Sequence, residues 1–178
     1  MAKIKFENTH LNDLKIVKPF LAEDNRGYFI KAFEINEYKD LGLENEVSET
    51  FESCSKKNVV RGLHFQVGEL AQAKLVRVIS GRVYDVCVDL REDSSTFGKW
   101  YGEFLDDKNH YALFVPKGFA HGFLTISDEA IMSYTAFGKH NPDGESGIYF
   151  NDEELNQELD LDGAEEFMVY AAHVGKIR

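Results

Sequence analysis

The sequence predicts an all-β fold, a sandwich or jelly-roll barrel, and three observations carry that prediction. From residue 59 onward, seven stretches of strand length follow one another, each rich in Val, Ile, Phe or Tyr. The joints between them carry turn residues: Ser80-Gly81, Asp93-Ser94-Ser95, Asp106-Asp107-Lys108-Asn109, Pro116-Lys117-Gly118 and Ser127-Asp128-Glu129. Helical patterning is scarce, and many short strands with little helix pack best as two sheets or one closed barrel.

Taken in order, KIKFEN (3–8) and LKIVKPF (14–20) read as short strands. GYFIKAFEI (27–35) reads as another, following the turn Glu23-Asp24-Asn25-Arg26-Gly27. EINEYKDLG (34–42) is the one good helix candidate of the first half, with Gly42 as its C-cap. The dense β region comprises VVRGLHFQ (59–66), KLVRVIS (74–80), RVYDVCVDLR (82–91), KWYGEFL (99–105), YALFVP (111–116), FAHGFLTI (119–126) and AIMSYTAF (130–137). The acidic stretch 152–167 is expected to be helix or loop. No repeat and no linker interrupts the chain, so residues 1–178 read as a single domain, a length that buries a real core.

Charge narrows the function classes. With 20 basic and 31 acidic residues the formal net charge is −11, a poor match for a nucleic-acid binder, which needs a basic footprint. The central basic residues Arg61 and Lys74 therefore suit a site for one compact anion, while Arg77 and Arg82 read as solvated charges. The two cysteines, Cys54 and Cys87, form no CxxC or zinc spacing, and Cys87 reads as a small buried hydrophobe. MAKIKFENTH has no apolar signal region, and no run approaches the roughly 18–20 apolar residues that span a bilayer, so no membrane association and a cytoplasmic location are expected.

Three clusters can carry chemistry. In Arg61-Gly62-Leu63-His64-Phe65-Gln66, strand alternation puts Gly62, His64 and Gln66 on one face, and a polar inner face implies a pocket. Lys74, in Gln72-Ala73-Lys74, begins a very apolar strand. Pro116–Phe123 places His121 and Phe123 on one face, and Tyr134 follows in the last strand. Taken singly, each has a bland reading: a structural histidine, a solvated lysine, a core tyrosine with a satisfied hydroxyl. His64 has no histidine two residues away, and His121 has no ligand neighbour in sequence, so no metal is expected. No nucleophile elbow, phosphate loop or dinucleotide fingerprint occurs, which leaves proton chemistry without a cofactor.

At these residues the chain resembles the dTDP-4-dehydrorhamnose 3,5-epimerase family. The likeness runs in order through Asp24–Phe29, Asn58–Gln66, Ala71–Val78, Asp85–Arg91, Ser95–Trp100, Pro116–Phe123 and Gly147-Ile148. It implies a cupin-like jelly roll with short peripheral helices, a homodimer, and no metal or other cofactor. The substrate it implies is a nucleotide-diphosphate 4-keto-6-deoxy sugar, made for deoxysugar and polysaccharide synthesis. The family base aligns with His64 and the family acid with Tyr134. Lys74 is suited to stabilise the enolate formed when a C–H beside a ketone loses its proton. The resemblance extends the substrate-binding set to Arg26, Lys31, Glu49, Phe51, Arg61, Gln72, His121, His140 and Glu145, with the guanidinium groups suited to a diphosphate.

The chain departs from the family pattern at the nucleotide end. Lys31 stands where the family has Glu, Glu49-Thr50-Phe51 where it has Gln-x-Asn, and His140 where it has a stacking Tyr. Leu159 replaces a Trp, and His173 falls near the Asp that pairs with the family base. Asp85 and Asp89 are alternative partners for His64. Three readings stay open: an epimerase on a dTDP sugar or on a CDP, GDP or UDP sugar; a ketoisomerase or tautomerase; and a non-catalytic sugar-nucleotide binding module.

Overall fold

A computed structural model describes residues 3–41 and 47–148. Gly42, the acidic stretch 152–167, Leu159 and His173 lie outside the described residues. The strands are β1 (Lys5–Asn8), β2 (Lys15–Lys18), β3 (Phe20–Asp24), β4 (Gly27–Lys31), β5 (Val47–Lys56), β6 (Val60–Gln66), β7 (Ala73–Ser80), β8 (Arg82–Asp89), β9 (Trp100–Asp106), β10 (Ala112–Val115), β11 (Phe119–Thr125), β12 (Glu129–Phe137) and β13 (Glu145–Gly147). They form a six-stranded sheet in the order β1-β2-β10-β7-β12-β5, a five-stranded sheet in the order β13-β6-β11-β8-β9, and the separate hairpin β3–β4. Every recorded pairing is antiparallel. The expected all-β jelly roll is the fold observed.

Alternation along the strands separates three apolar layers. Between the two sheets, Val76, Val78, Leu113, Val115 and Met132 of the larger sheet meet Val83, Cys87, Leu105, Phe119 and Phe123 of the smaller. Behind the larger sheet, Leu75, Ala112, Phe114 and Phe137 pack against Val17 and Tyr38. Behind the smaller sheet, Leu63, Val86, Val88 and Ala120 pack with Phe65 and Trp100. Removing a side chain from such a layer costs about 2–5 kcal/mol for Leu or Met to Ala.

The expected helix is shorter than its pattern. Among the described residues only Ile35–Tyr38 (α1) is α-helical, and Lys39–Leu41 continues as a 3-10 turn. Glu34 caps it by accepting from the Asn36 N–H. Its anchor is one fully buried side chain, Tyr38, whose hydroxyl donates to the Ala32 carbonyl at 2.9 Å and whose ring meets Phe6 edge-on. One plug of this kind needs one turn of helix. The stretch 14–20 breaks into β2 and β3, and β4 stops at Lys31. Strand β5 lies where no strand was expected. Among the described residues no helix is long and apolar enough to cross a membrane.

Candidate active site

The space between the sheets is filled by the core at one end and lined by polar side chains at the other. On the smaller sheet, His64 lies opposite His121, and His121 lies opposite Cys87, which belongs to the inter-sheet layer. Directly opposed residues share a face, so His64 and His121 point inward. On the larger sheet, Tyr134 lies opposite Val76 in β7 and Phe51 in β5, and Tyr134 and Val76 belong to the same inter-sheet layer. Lys74, two residues before Val76, and Glu49, two before Phe51, share that inward face. His64 and Tyr134 thus stand on opposing walls.

A bulge completes the smaller wall. From His121 to Phe123, β11 advances two residues while β6 spans three, His64 to Arg61. The extra residue cancels the alternation, so Arg61 faces inward beside His64. Its Nε donates to Ser55 Oγ at 2.8 Å across to the other sheet. Gly62 makes this possible: its φ is +110°, and a Cβ there would sit 2.6 Å from both Gly122 Cα and the His121 carbonyl oxygen.

The titratable groups are set by their surroundings. His64 opens to solvent in the cavity, yet the enclosing sheet and then His121, Lys74 and Arg61 push its pKa well below the usual imidazole value. The lowered pKa keeps the imidazole neutral, the form a base needs. Burial pushes the Tyr134 phenol up to about 12, against a lowering by the Ser53 hydroxyl 3.0 Å away. The phenol therefore stays protonated at neutral pH, and Phe51 stacks on its ring at 4.6 Å between centroids and 11° between planes. Burial lowers the Lys74 pKa, and the carboxylates of Glu49 and Glu145 oppose that.

Sequence reasoning offered Asp85 and Asp89 as partners of His64, and neither is. The Asp85 carboxylate accepts from His121 Nε2 at 2.9 Å, with both side chains buried. Asp89 is held by Arg91, Ser94 and Thr96. The His121–Asp85 pair went unseen because its members are 36 residues apart; only the pairing of β8 with β11 brings them together.

The family model for dTDP-4-dehydrorhamnose 3,5-epimerase matches residues 8–169. The dTDP-4-dehydrorhamnose 3,5-epimerase of Methanothermobacter thermautotrophicus is 41% identical over 169 residues, which cover 95% of this chain and 91% of that one. The crystal structure of the enzyme of that name from Elizabethkingia anophelis superposes with a TM-score of 0.84 at 40% identity, covering 93% of each chain. That of dTDP-6-deoxy-D-glucose-3,5-epimerase from Legionella pneumophila, in complex with dTDP-4-keto-L-rhamnose, gives 0.82 at 38% identity, covering 86% of this chain and 81% of that one.

The chain belongs to the dTDP-4-dehydrorhamnose 3,5-epimerase family.

It is therefore an isomerase-type protein on the family's β-rich scaffold. Of the residues singled out in the sequence, His64, Tyr134, Lys74, Arg61, His121, Glu49 and Phe51 share the inward faces. Glu145 lies opposite Gln66 in the β13–β6 pair, and its carboxylate meets His140 Nε2 at 2.8 Å on the exposed rim. Gln72 is buried and donates its amide N–H to the Gly138 carbonyl at 2.7 Å, tying the start of β7 to the end of β12. Arg26 and Lys31 are not brought to His64 or Tyr134 by this chain. Arg26 sits at the tip of the β3–β4 hairpin, paired among the described residues only with Asp24, and Lys31 ends β4 beside Glu34. Arg77, expected to be solvated, is half-buried.

Proposed function

We propose that this protein epimerises C3, C5 or both of a nucleotide-linked 4-keto-6-deoxyhexose, of the type that converts dTDP-4-dehydro-6-deoxyglucose to dTDP-4-dehydrorhamnose. One observation carries the proposal. A neutral imidazole and a protonated phenol face each other from opposite sheets, and inversion at carbon requires a base on one side and a donor on the other. The relatives' names supply the substrate class.

In this reading the sugar lies between the walls with its ketone toward Lys74. His64 takes the proton from the carbon beside the ketone, and the electron pair moves into an enolate. The Lys74 ammonium stabilises the negative oxygen, in the manner of an oxyanion hole. Tyr134 gives its proton to the other face of the carbon, inverting it. Solvent then returns a proton to the phenolate and accepts the one on His64. Arg61 serves the diphosphate. Glu49, Phe51 and the His140–Glu145 pair, near the mouth, would face the nucleotide.

Support for a homodimer comes from the β3–β4 hairpin, which pairs with no other strand among the described residues and exposes Leu21, Tyr28 and Phe29. A second copy covering it would leave Arg26 and Lys31 free to serve the partner's site. Sedimentation as a monomer at micromolar concentration would exclude this arrangement.

The test is product identity. Incubation with dTDP-4-keto-6-deoxyglucose, followed by NMR of the sugar, should show the inverted configuration, and His64→Ala should abolish it. If only CDP, GDP or UDP sugars react, the altered residues Lys31, Glu49, Phe51 and His140 have changed the base preference. Binding without turnover across that panel would refute the catalytic reading and leave a binding module.

A further inference from the structure

Among the described residues, one group of three metal-ligand side chains converges: Asp85, Cys87 and His121, all buried. Their ligand atoms all lie within 4.8 Å of one another. Asp85 and Cys87 are two residues apart on β8 and face the same way, and His121 is the residue directly opposite Cys87 on β11. We propose that Asp85, Cys87 and His121 form a binding site for a thiophilic divalent cation of the zinc class, and that a cation held there shuts off the cavity above it.

The donor set is the first argument. Thiolate, imidazole and carboxylate are the three ligand types zinc takes in tetrahedral sites, with Zn–S about 2.3 Å and Zn–N or Zn–O about 2.0–2.2 Å. Donors around such an ion stand roughly 3.3–3.8 Å apart by that geometry. Here His121 Nε2 is 2.9 Å from one Asp85 oxygen, and Cys87 Sγ is 3.9 Å from the other. All three donors lie within 4.8 Å of one another, so closure by up to about 1 Å would fit an ion between them. The charges also balance: a thiolate and a carboxylate neutralise a divalent cation, so no net charge is buried.

Position is the second argument. His64 lies directly opposite His121, with ring centroids 6.0 Å apart, and His64 is open to the cavity. The trio therefore sits one side chain below the cavity floor, and the fourth coordination position is left for water or His64. Binding would displace the Asp85–His121 hydrogen bond, put the remaining His121 proton on Nδ1, which has no partner among the described residues, and release the Cys87 thiol proton to solvent. His64 in the fourth position, its ring centroid 6.0 Å from that of His121, would have its lone pair committed to the cation and could no longer take a proton from substrate, so catalysis should stop.

The cation-binding half stands without the epimerase reading; the inhibition half rests on it. The experiment titrates chelator-treated protein with Co2+ and, separately, dialyses it against Zn2+. The expected result is one equivalent per chain and a thiolate-to-cobalt charge-transfer band. That band should vanish in Cys87→Ala and Cys87→Ser and persist in Cys54→Ser, which removes the exposed thiol. Circular dichroism shows that the variants are folded. With a turnover assay in hand, Zn2+ should inhibit the wild type, and Cys87→Ala should need at least tenfold more Zn2+ for the same inhibition. Absence of the band, or its persistence in both Cys87 variants, overturns the site. A band with undiminished turnover overturns the inhibition alone.

Discussion

Gly62→Ala tests the bulge that turns Arg61 and His64 to one face. The new Cβ would lie 2.6 Å from two atoms of β11 backbone, and that strand is paired on both sides, so it cannot retreat alone. A backbone held at φ +110° costs a non-glycine residue about 1–3 kcal/mol. Overpacking adds about 1–3 kcal/mol. Gly138→Ala is the control: its φ is +116°, but its Cβ would meet nothing nearer than 3.5 Å. It should therefore carry the conformational cost without the clash. We expect Gly62→Ala to lose about 4 kcal/mol in all, which for a chain of this size lowers Tm by roughly 8–16 °C. Gly138→Ala should lose about half of that. Thermal denaturation followed by circular dichroism reads both. Losses agreeing within about 0.5 kcal/mol would refute the close approach of Gly62 to β11 as the reason for the glycine.

The other predictions concern charge and positioning. Burial pushes the Asp89 carboxyl up, but hydrogen bonds from Arg91, Ser94 and Thr96 outweigh it and hold the pKa well below the usual value. Its contribution is therefore full above the unfolded carboxylate pKa and lost as pH falls. Asp89→Ala should cost about 3 kcal/mol at neutral pH and clearly less near pH 3, by denaturant titration at both; an equal loss at both would contradict this. For His64 the depressed pKa places the acid limb of the kcat/KM profile below the usual 6.5, and a limb at or above it would contradict the cavity electrostatics. The same shift makes stability full above that value and diminishing toward acid, and His64→Asn should flatten the dependence. Phe51→Ala removes the ring stacked on Tyr134, worth about 0.5–1.5 kcal/mol. It should slow inversion up to roughly tenfold while leaving the fold intact, and unchanged turnover would remove Phe51 from the account.

Legibility in the sequence followed the hydrophobic pattern. The strands that bury one face in the inter-sheet layer, such as β7, β8 and β12, were readable because their inward residues are Val, Met and Cys. Strand β5 was not, because its inward residues, Glu49, Phe51, Ser53 and Ser55, line the cavity instead of the core. Its sequence lacks the apolar alternation that marks a strand, for the same reason that it can serve a polar ligand. Single residues of the site were visible through their neighbours: His64 and Gln66 by alternation, His121 by its glycines. Pairs were not. The union of His121 with Asp85, the stacking of Phe51 on Tyr134 and the reach of Arg61 to Ser55 all depend on register between distant strands. The bulge at Gly62 also defeats simple alternation, since it puts Arg61 on the face opposite to the one a regular strand would give it.

The central claim is that His64 removes a proton beside the sugar ketone. The most direct measurement is NMR of dTDP-4-keto-6-deoxyglucose incubated in D2O with wild type, His64→Ala and Tyr134→Phe. The account predicts deuterium at C3, C5 or both with inversion in the wild type, none in His64→Ala, and deuterium without inversion in Tyr134→Phe. Deuterium incorporation that survives in His64→Ala at the wild-type rate would contradict it.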